Sequence, residues 1–308
     1  MNIHLSPTEV DMLVTALDTV VTSMEQAGDE TAEDYATLRD RLMADGDGDQ
    51  PKILDLFCCE GGASTGYSRA GFDVYGVDLF AYVDKDGKRR GYDRDRYPFP
   101  SWQGDALQAL VTLLDGDTLP FHGSTGTVDL GLTDFVAIAA SPPCQAYSIT
   151  KHSHSNQHPD LIVPVRWLLQ QIGLPYVIEN VPGAPLDNPL TLCGTEFNLI
   201  AADDDGRMLH LRRHRLFESD LPLHGNGGCQ CVEFKHRGIG VGGVYGGGPA
   251  DRQHAKEVRR GGYTPKKKVR EALLGINWMT RNGLSQSIPP AYTEFVGQQL
   301  LTRIKETP

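Results

Sequence analysis

No apolar run in the chain approaches the roughly 18 residues that a membrane-spanning helix needs, and the amino terminus lacks a basic segment leading into an apolar one. Neither a membrane span nor export is expected, and the expected setting is cytoplasmic. Positive charge is also scarce, with 29 Lys and Arg against 40 Asp and Glu and a net charge of −11 over 308 residues. Phosphate binding needs concentrated basic residues, so any nucleic-acid surface must be local. The six cysteines, at 58, 59, 144, 193, 229 and 231, do not form a disulfide framework for a chain of this length, and a reducing compartment is expected. The strand, turn and helix over residues 53–66 also lack the G-x-G-x-x-G fingerprint of dinucleotide-binding enzymes.

What is present is organised around Ser141–Val181. The apolar run FVAIAAS leads into SPPCQAYS, and a second run leads into YVIENVP. Each reads as a buried strand, which puts Cys144 and Glu179 at two strand ends. In a parallel sheet such ends share the carboxyl edge, where open α/β sheets hold ligands. Upstream, KILDLF reads as a strand, CCEGGASTG as a small-residue turn opening a helix, and DVYGVDLF as the next strand. That order brings backbone N–H groups near a ligand, and Asp78, ending the second strand, could accept from ribose hydroxyls. By itself this pattern would also suit a nicotinamide enzyme.

A thiol and a buried acid on one edge suit one reaction in particular. Cytosine C5 takes a methyl group only after a nucleophile has added to C6. A thiolate is the best protein nucleophile for that addition. An acid raised by burial could bond N3 and relieve the charge that addition places on the ring. Cys144 would attack, and Glu179 would hold and protonate.

SPPCQAYS resembles the PCQ motif, and ENVP the ENV motif, of the C5-cytosine DNA methyltransferases. LDLFCCEGGASTGYSRAGFDVYGVD resembles that family's first and second motifs, GDAL the third, LRRHRLFES the eighth and IPPAYTEFVGQQL the tenth, all in the family's order. The wording is most similar to small bacteriophage methylases. The resemblance implies S-adenosyl-L-methionine as cofactor and double-stranded DNA as partner, bound by a monomer with the target base flipped from the stack. It implies a purpose in DNA methylation or restriction-modification, in a bacterial cell or phage-infected host. Phe57 would lie against the adenosyl group, Gly61 and Gly62 would let the backbone approach, and Asp105 would bond adenine. Cys59, Glu60, Leu79, Ala106 and Pro143 complete the implied cofactor contacts. Arg213 and Arg215, at alternate positions and so on one strand face, would line the pocket, Arg215 near the base O2. This chain departs from the family at Cys59, usually glycine, at Glu60, usually small or apolar, and at Leu211, usually glutamine. Glu60 is read as solvated, with a modified cofactor as the other reading.

The expected architecture is α/β: a class I S-adenosylmethionine-dependent methyltransferase fold, Rossmann-like, with a mostly parallel sheet and helices on both faces. Residues 51–217 would form the catalytic domain, 218–285 a small target-recognition region, and 286–308 a return to the catalytic domain. Residues 1–48 read as a helical hairpin, opened by the capping box Ser6-Pro7-Thr8-Glu9. Residues 81–101 alternate in charge and read as a surface loop, and the polar stretch holding Lys151, His152, His154 and His158 as a loop closing over DNA. Nine Lys or Arg against three Asp or Glu between Asp251 and Arg281 suggest phosphate contacts and a short or degenerate site. His224, Cys229, Cys231 and His236 have the composition of a zinc site, but the C-x-C spacing favours surface residues, and no metal is expected. Two other functions remain open: the same chemistry on RNA or with a modified cofactor, and a non-catalytic DNA-binding protein, against which the intact Cys144, Glu179 and Arg215 argue.

Overall fold

The computed structural model describes residues 50–83, 87, 89–147, 160–244 and 262–306, with Ala16 and Val20, which are helical. Apart from those two residues, the hairpin expected over 1–48 lies outside the described residues, as does the polar stretch after Tyr147. The elements in order are β1 (Lys52–Leu56), α1 (Gly62–Ala70), β2 (Asp73–Asp78), a hairpin of β3 (Tyr82–Val83) and β4 (Arg89–Arg90), β5 (Ser101–Gln103), α2 (Ala106–Leu114), β6 (Leu119–Gly123), β7 (Gly126–Leu130), β8 (Phe135–Ala140), α3 (Ile162–Ile172) and β9 (Tyr176–Asn180). Then come β10 (Leu190–Leu192), β11 (Ile200–Ala202), β12 (Met208–Leu211), β13 (Arg215–Ser219), α4 (Cys231–His236), β14 (Gly240–Gly242), β15 (Gly262–Tyr263), α5 (Lys267–Leu274), α6 (Arg281–Gln286) and α7 (Pro290–Glu306).

The large sheet runs β10-β13-β9-β8-β1-β2-β5-β6-β7. Its centre, β9-β8-β1-β2-β5, is parallel, and antiparallel pairs close both edges. The central strands are mostly apolar on both faces because both are covered, as parallel sheets require, with Asp55 and Glu179 as buried charged exceptions. Ile53, Val74, Ala137, Ala139 and Val177 face Tyr67 of α1 and Tyr292, Val296 and Leu300 of α7. The intervening Leu54, Leu56, Val77, Ile138, Ala140 and Ile178 face Leu110 and Leu113 of α2 and Val165 and Leu169 of α3. This alternation is the period of two that a strand imposes, and it yields the expected α/β fold with helices on both faces. Arg166 of α3 donates through Nε and Nη2 to the two carboxylate oxygens of the buried Glu218 in β13, at 2.6 Å each, tying a helix to the edge strand.

The closing helix α7 packs directly on α1. A Cβ at Gly66 would lie 2.0 Å from Thr293 Oγ1 and 2.2 Å from the Pro290 carbonyl oxygen, so only glycine permits the approach. Thr293 Oγ1 in turn donates to the Ala63 carbonyl at 2.9 Å.

Two expectations change. The small sheet, β11-β12-β14-β15, takes two strands from before residue 217, so the second packing unit is not the 218–285 segment alone. Leu209 and Leu211 share its core with Leu273, Leu274, Ile276 and Met279; Leu211, where the family carries glutamine, is a core residue. The second change concerns 81–101, which is not simply a surface loop. Tyr97 is buried between Phe80 and Phe99, with its hydroxyl 3.0 Å from Ser64 Oγ. Among the described residues no helix is long and apolar enough to cross a membrane.

Candidate active site

The turn after β1 is held open by Asp78. Its Oδ2 accepts from the Cys59 N–H at 2.9 Å and its Oδ1 from the Phe80 N–H at 3.0 Å. Phe57 and Cys59 are left-handed, at φ 62° and 53°, a conformation that costs a residue with a Cβ on the order of 1–3 kcal/mol. The hydrogen bond to Asp78 offsets that cost, so Cys59 reaches the backbone geometry that glycine would take freely. Burial raises the Asp78 carboxyl, opposed by the Cys59, Phe80 and Leu79 N–H groups. Each carboxylate oxygen can accept twice, leaving capacity for ribose hydroxyls.

Glu60 is not solvated. It is 1% exposed; its Oε2 accepts from the Thr280 N–H at 2.7 Å and its Oε1 from Thr280 Oγ1 at 2.6 Å. Trp278 Nε1 donates to the Glu60 carbonyl at 3.1 Å. A buried carboxylate is tolerable only when hydrogen-bonded, and here the donors arrive from 220 residues downstream. Gly283 is small because Glu60 fills the space beside it: a Cβ there would lie 2.1 Å from Oε2. The acid therefore fastens the turn to the chain before α7.

Cys144 opens a 3₁₀ turn just past the end of β8 and is half-buried. Glu179 lies in β9 at 7% exposure, and the neighbouring parallel pairing puts both on one edge, as expected. Asn180 couples the two strand ends directly, because its side chain donates to the Pro142 carbonyl at 2.9 Å. Burial raises the Glu179 carboxyl, against the lowering effects of Arg215, Arg213 and Ser141. Burial also raises the Cys144 thiol; Glu179 pushes the same way, and Arg215 and Arg213 oppose it. Arg215 Nε stands 2.9 Å from Glu179 Oε1, although that oxygen makes no well-aligned hydrogen bond among the described residues.

Arg213 behaves differently from the expectation. It precedes β13 rather than sharing a strand face with Arg215, and it is 4% exposed. Its Nη1 donates to the Val244 carbonyl at 2.6 Å and its Nη2 to the Ser285 carbonyl at 2.8 Å. A buried guanidinium needs acceptors for its fixed fork of donors, and these two carbonyls bind it between the small sheet and α6. Arg213 acts on the site through its field and by joining segments, while Arg215 lines the cleft.

One cavity of about 360 Å³ brings these groups together. Its walls include Phe57, Cys59, Glu60, Gly62, Asp78, Leu79, Asp105, Ala106 and Pro143 from the expected cofactor set, and Cys144, Glu179 and Arg215 from the expected catalytic set. Gly61 caps α1 with φ 89° instead of lining the cavity. Leu79 is unusual for an apolar residue in being 46% exposed, and it faces this space. Asp105 caps α2, its Oδ1 accepting from the Leu107 and Gln108 N–H groups at 3.0 Å each. Sequence reasoning missed Tyr92, Asn282, Gln286 and Ser287, which also line the cavity. Asn282, Gln286 and Ser287 sit immediately before the closing motif, the one signal that could have drawn attention to them.

The residues fit an S-adenosylmethionine-like ligand. Phe57, Leu79, Ala106 and Pro143 offer apolar walls for a purine, Asp78 offers acceptors for a diol, and Glu60 is occupied by Thr280 rather than facing a bound carboxylate. The volume lies within the usual range for small-molecule sites, about 300–1,000 Å³.

In the basic cluster, Lys266 pairs with Asp204 at 2.6 Å and Lys267 with Glu271 at 2.9 Å. Two of the lysines expected at phosphate thus have intramolecular partners; residues 251–261 lie outside the described set.

No family model matches the chain, and no curated protein matches it. Among solved structures, the chain is similar to a prophage-encoded protein of E. coli named as a DNA modification methyltransferase, at 13% identity and TM-score 0.44, over 83% of this chain and 99% of that one. It is similar to S. pombe Dnmt2 methyltransferase at 10% identity and TM-score 0.46, over 82% and 99%. It is also similar to the Entamoeba histolytica methyltransferase EhMeth at 10% identity and TM-score 0.40, over 83% and 99%.

Proposed function

We propose that the protein is a DNA (cytosine-5-)-methyltransferase that uses S-adenosyl-L-methionine. The observation that carries this reading is a single cleft lined by a half-buried thiol, a buried acid, an arginine and the glycine-bearing turn that Asp78 holds. The bound cofactor would supply an electrophilic methyl group. Everything else is work for the chain's own side chains.

Cys144 would release its proton to solvent and add as the thiolate to C6 of a cytosine flipped into the cleft. Burial raises the Glu179 carboxyl, and a protonated acid there would serve this step twice. The neutral acid no longer opposes the thiolate, and it holds the proton that N3 takes as the ring gains charge. Arg215 is close enough to both groups to favour the thiolate and to hold the carboxyl in place. After methyl transfer, solvent water would take the C5 proton, the electrons of that C–H bond would re-form the C5=C6 double bond and expel Cys144 as thiolate, and N3 would return its proton to Glu179. Arg213 would orient this edge without touching the base.

The test is to mix the protein and S-adenosylmethionine with duplex DNA carrying 5-fluorocytosine. Fluorine at C5 blocks the final elimination, so a covalent complex dependent on Cys144 should accumulate. An adduct with fluorinated RNA and none with DNA would move the substrate to RNA. No adduct with either would leave a binding protein without turnover.

A further inference from the structure

We propose that Cys193, His214, Cys229 and Cys231 form a zinc site that fastens the glycine-rich segment to the arginine-bearing edge of the cleft. One donor atom from each of these residues lies within 4.8 Å of all the others. Cys193 Sγ and Cys231 Sγ are 3.5 Å apart, and His214 Nε2 is 3.2 Å from Cys229 Sγ. A tetrahedral zinc ion with ordinary bond lengths sets its sulfurs about 3.8 Å apart and a sulfur and nitrogen about 3.5 Å apart. The two close pairs lie within tenths of an ångström of that spacing, and the remaining pairs, all within 4.8 Å, would draw in by at most about an ångström to enclose an ion.

The ligands come from three separate places. Cys193 is buried at the end of β10, His214 lies between Arg213 and Arg215, and the C-x-C pair arrives from the chain entering α4. The grouping differs from the one the spacing suggests. His224 is spent elsewhere, its backbone N–H donating to Gln299 Oε1 at 2.8 Å and its ring nitrogen lying 3.5 Å from Arg303. His236 is exposed at the end of α4. Only the two cysteines of that set reach the cluster.

Outer contacts are already in place. Thr195 Oγ1 donates to Cys193 Sγ at 3.4 Å and accepts from the Gln230 N–H at 2.9 Å, bridging the two halves of the site. Such hydrogen bonds to thiolate ligands orient them. Zinc binds such cysteines as thiolates, so filling the site would release thiol protons to solvent.

The segment also needs a fastening. Residues 221–230 hold no helix, no strand and no buried residue, so apolar burial does little to offset the entropy of ordering them. Four metal bonds would do so, as in small domains that fold around zinc. Because His214 adjoins Arg215, the same ion would hold the start of β13, from which Arg215 reaches Glu179. Its role there is positioning rather than catalysis.

The test is metal analysis of the full chain, purified and then equilibrated against buffered zinc. The wild type should carry about one zinc per chain, and cobalt(II) in its place should give intense visible bands with a thiolate-to-metal charge-transfer band. Cys229→Ser and His214→Ala should each lower zinc content at least tenfold at the same buffered concentration, while His224→Ala and His236→Ala keep it. Cys229→Ser changes an exposed residue, and circular dichroism shows whether each variant folds. The proposal is overturned by a folded wild type that binds no zinc, by zinc retained in folded Cys229→Ser and His214→Ala, or by a Cys193–Cys231 disulfide in the protein isolated without reductant.

Discussion

Replacing Asp55 by asparagine should make the protein more stable, and by an amount that grows with pH. Asp55 lies in the middle of β1, fully buried. Its Oδ2 accepts from Ser64 Oγ at 2.5 Å, and its Oδ1 has no hydrogen-bond partner among the described residues. Burial raises its carboxyl from 3.8 to about 7; the Ser64 hydrogen bond opposes this, and the charges of Asp78 and Glu179 add to it. The folded state therefore favours the protonated acid. Stability is fully present below the unfolded value of 3.8 and is lost as pH rises through about 7. A shift of about 3 units corresponds to roughly 4 kcal/mol over the whole window, of which about 2.5 kcal/mol falls between pH 5 and pH 8. Asparagine keeps the shape and an acceptor for Ser64 but has no charge to bury. Urea unfolding of both proteins at several pH values, followed by tryptophan fluorescence, measures the gap between them. Subtraction removes the contributions of Asp78, Glu179 and the other shifted groups. A gap that stays constant from pH 5 to pH 8 would show that Asp55 is not a buried ionisable cost, and would refute the reasoning.

Three further outcomes are expected. Glu179→Gln should fold and bind cofactor, but lose about 10²–10⁴-fold in single-turnover methyl transfer for want of the acid; rates near wild type would remove Glu179 from the mechanism. The wild-type rate should also fall as pH rises through the raised Glu179 value, because the protonated form is the active one. Asp78→Ala should weaken S-adenosylmethionine by roughly 1.5–3 kcal/mol, the scale of hydrogen bonds to a charged group, and calorimetry showing unchanged affinity would leave Asp78 with the turn as its sole task. Gly66→Ala drives a methyl group into Thr293 and the Pro290 carbonyl, so thermal unfolding should show a loss of about 1–3 kcal/mol; an unchanged melting temperature would contradict the close contact of α1 with α7.

Much of this protein is written in short-range pattern. The apolar runs KILDLF, FVAIAAS and YVIEN identify buried strands, and the small-residue turn after β1 marks the ligand edge, from neighbouring residues alone. Cys144 and Glu179 share an edge for the same reason, since each ends a strand of a parallel sheet. These inferences succeed because strand period, turn chemistry and helix capping are properties of a few neighbouring residues.

Contacts between distant segments were decided by the tertiary structure alone. Glu60 looks solvated in sequence because its neighbours are small; its burial depends on Thr280 and Trp278, which reach it only when the chain before α7 folds back. Arg213 and Arg215 look equivalent two residues apart, yet one donates to Val244 and Ser285 and the other faces Glu179, because the strand begins between them. Cys193 and His214 join the C-x-C pair across 38 and 15 residues, a grouping no local spacing could announce. Local sequence determines which element forms and which of its faces is apolar. Which faces meet, and hence which buried charge finds a donor and which thiols converge, is settled by packing of the whole chain, where many distant pairings are compatible with the same local pattern.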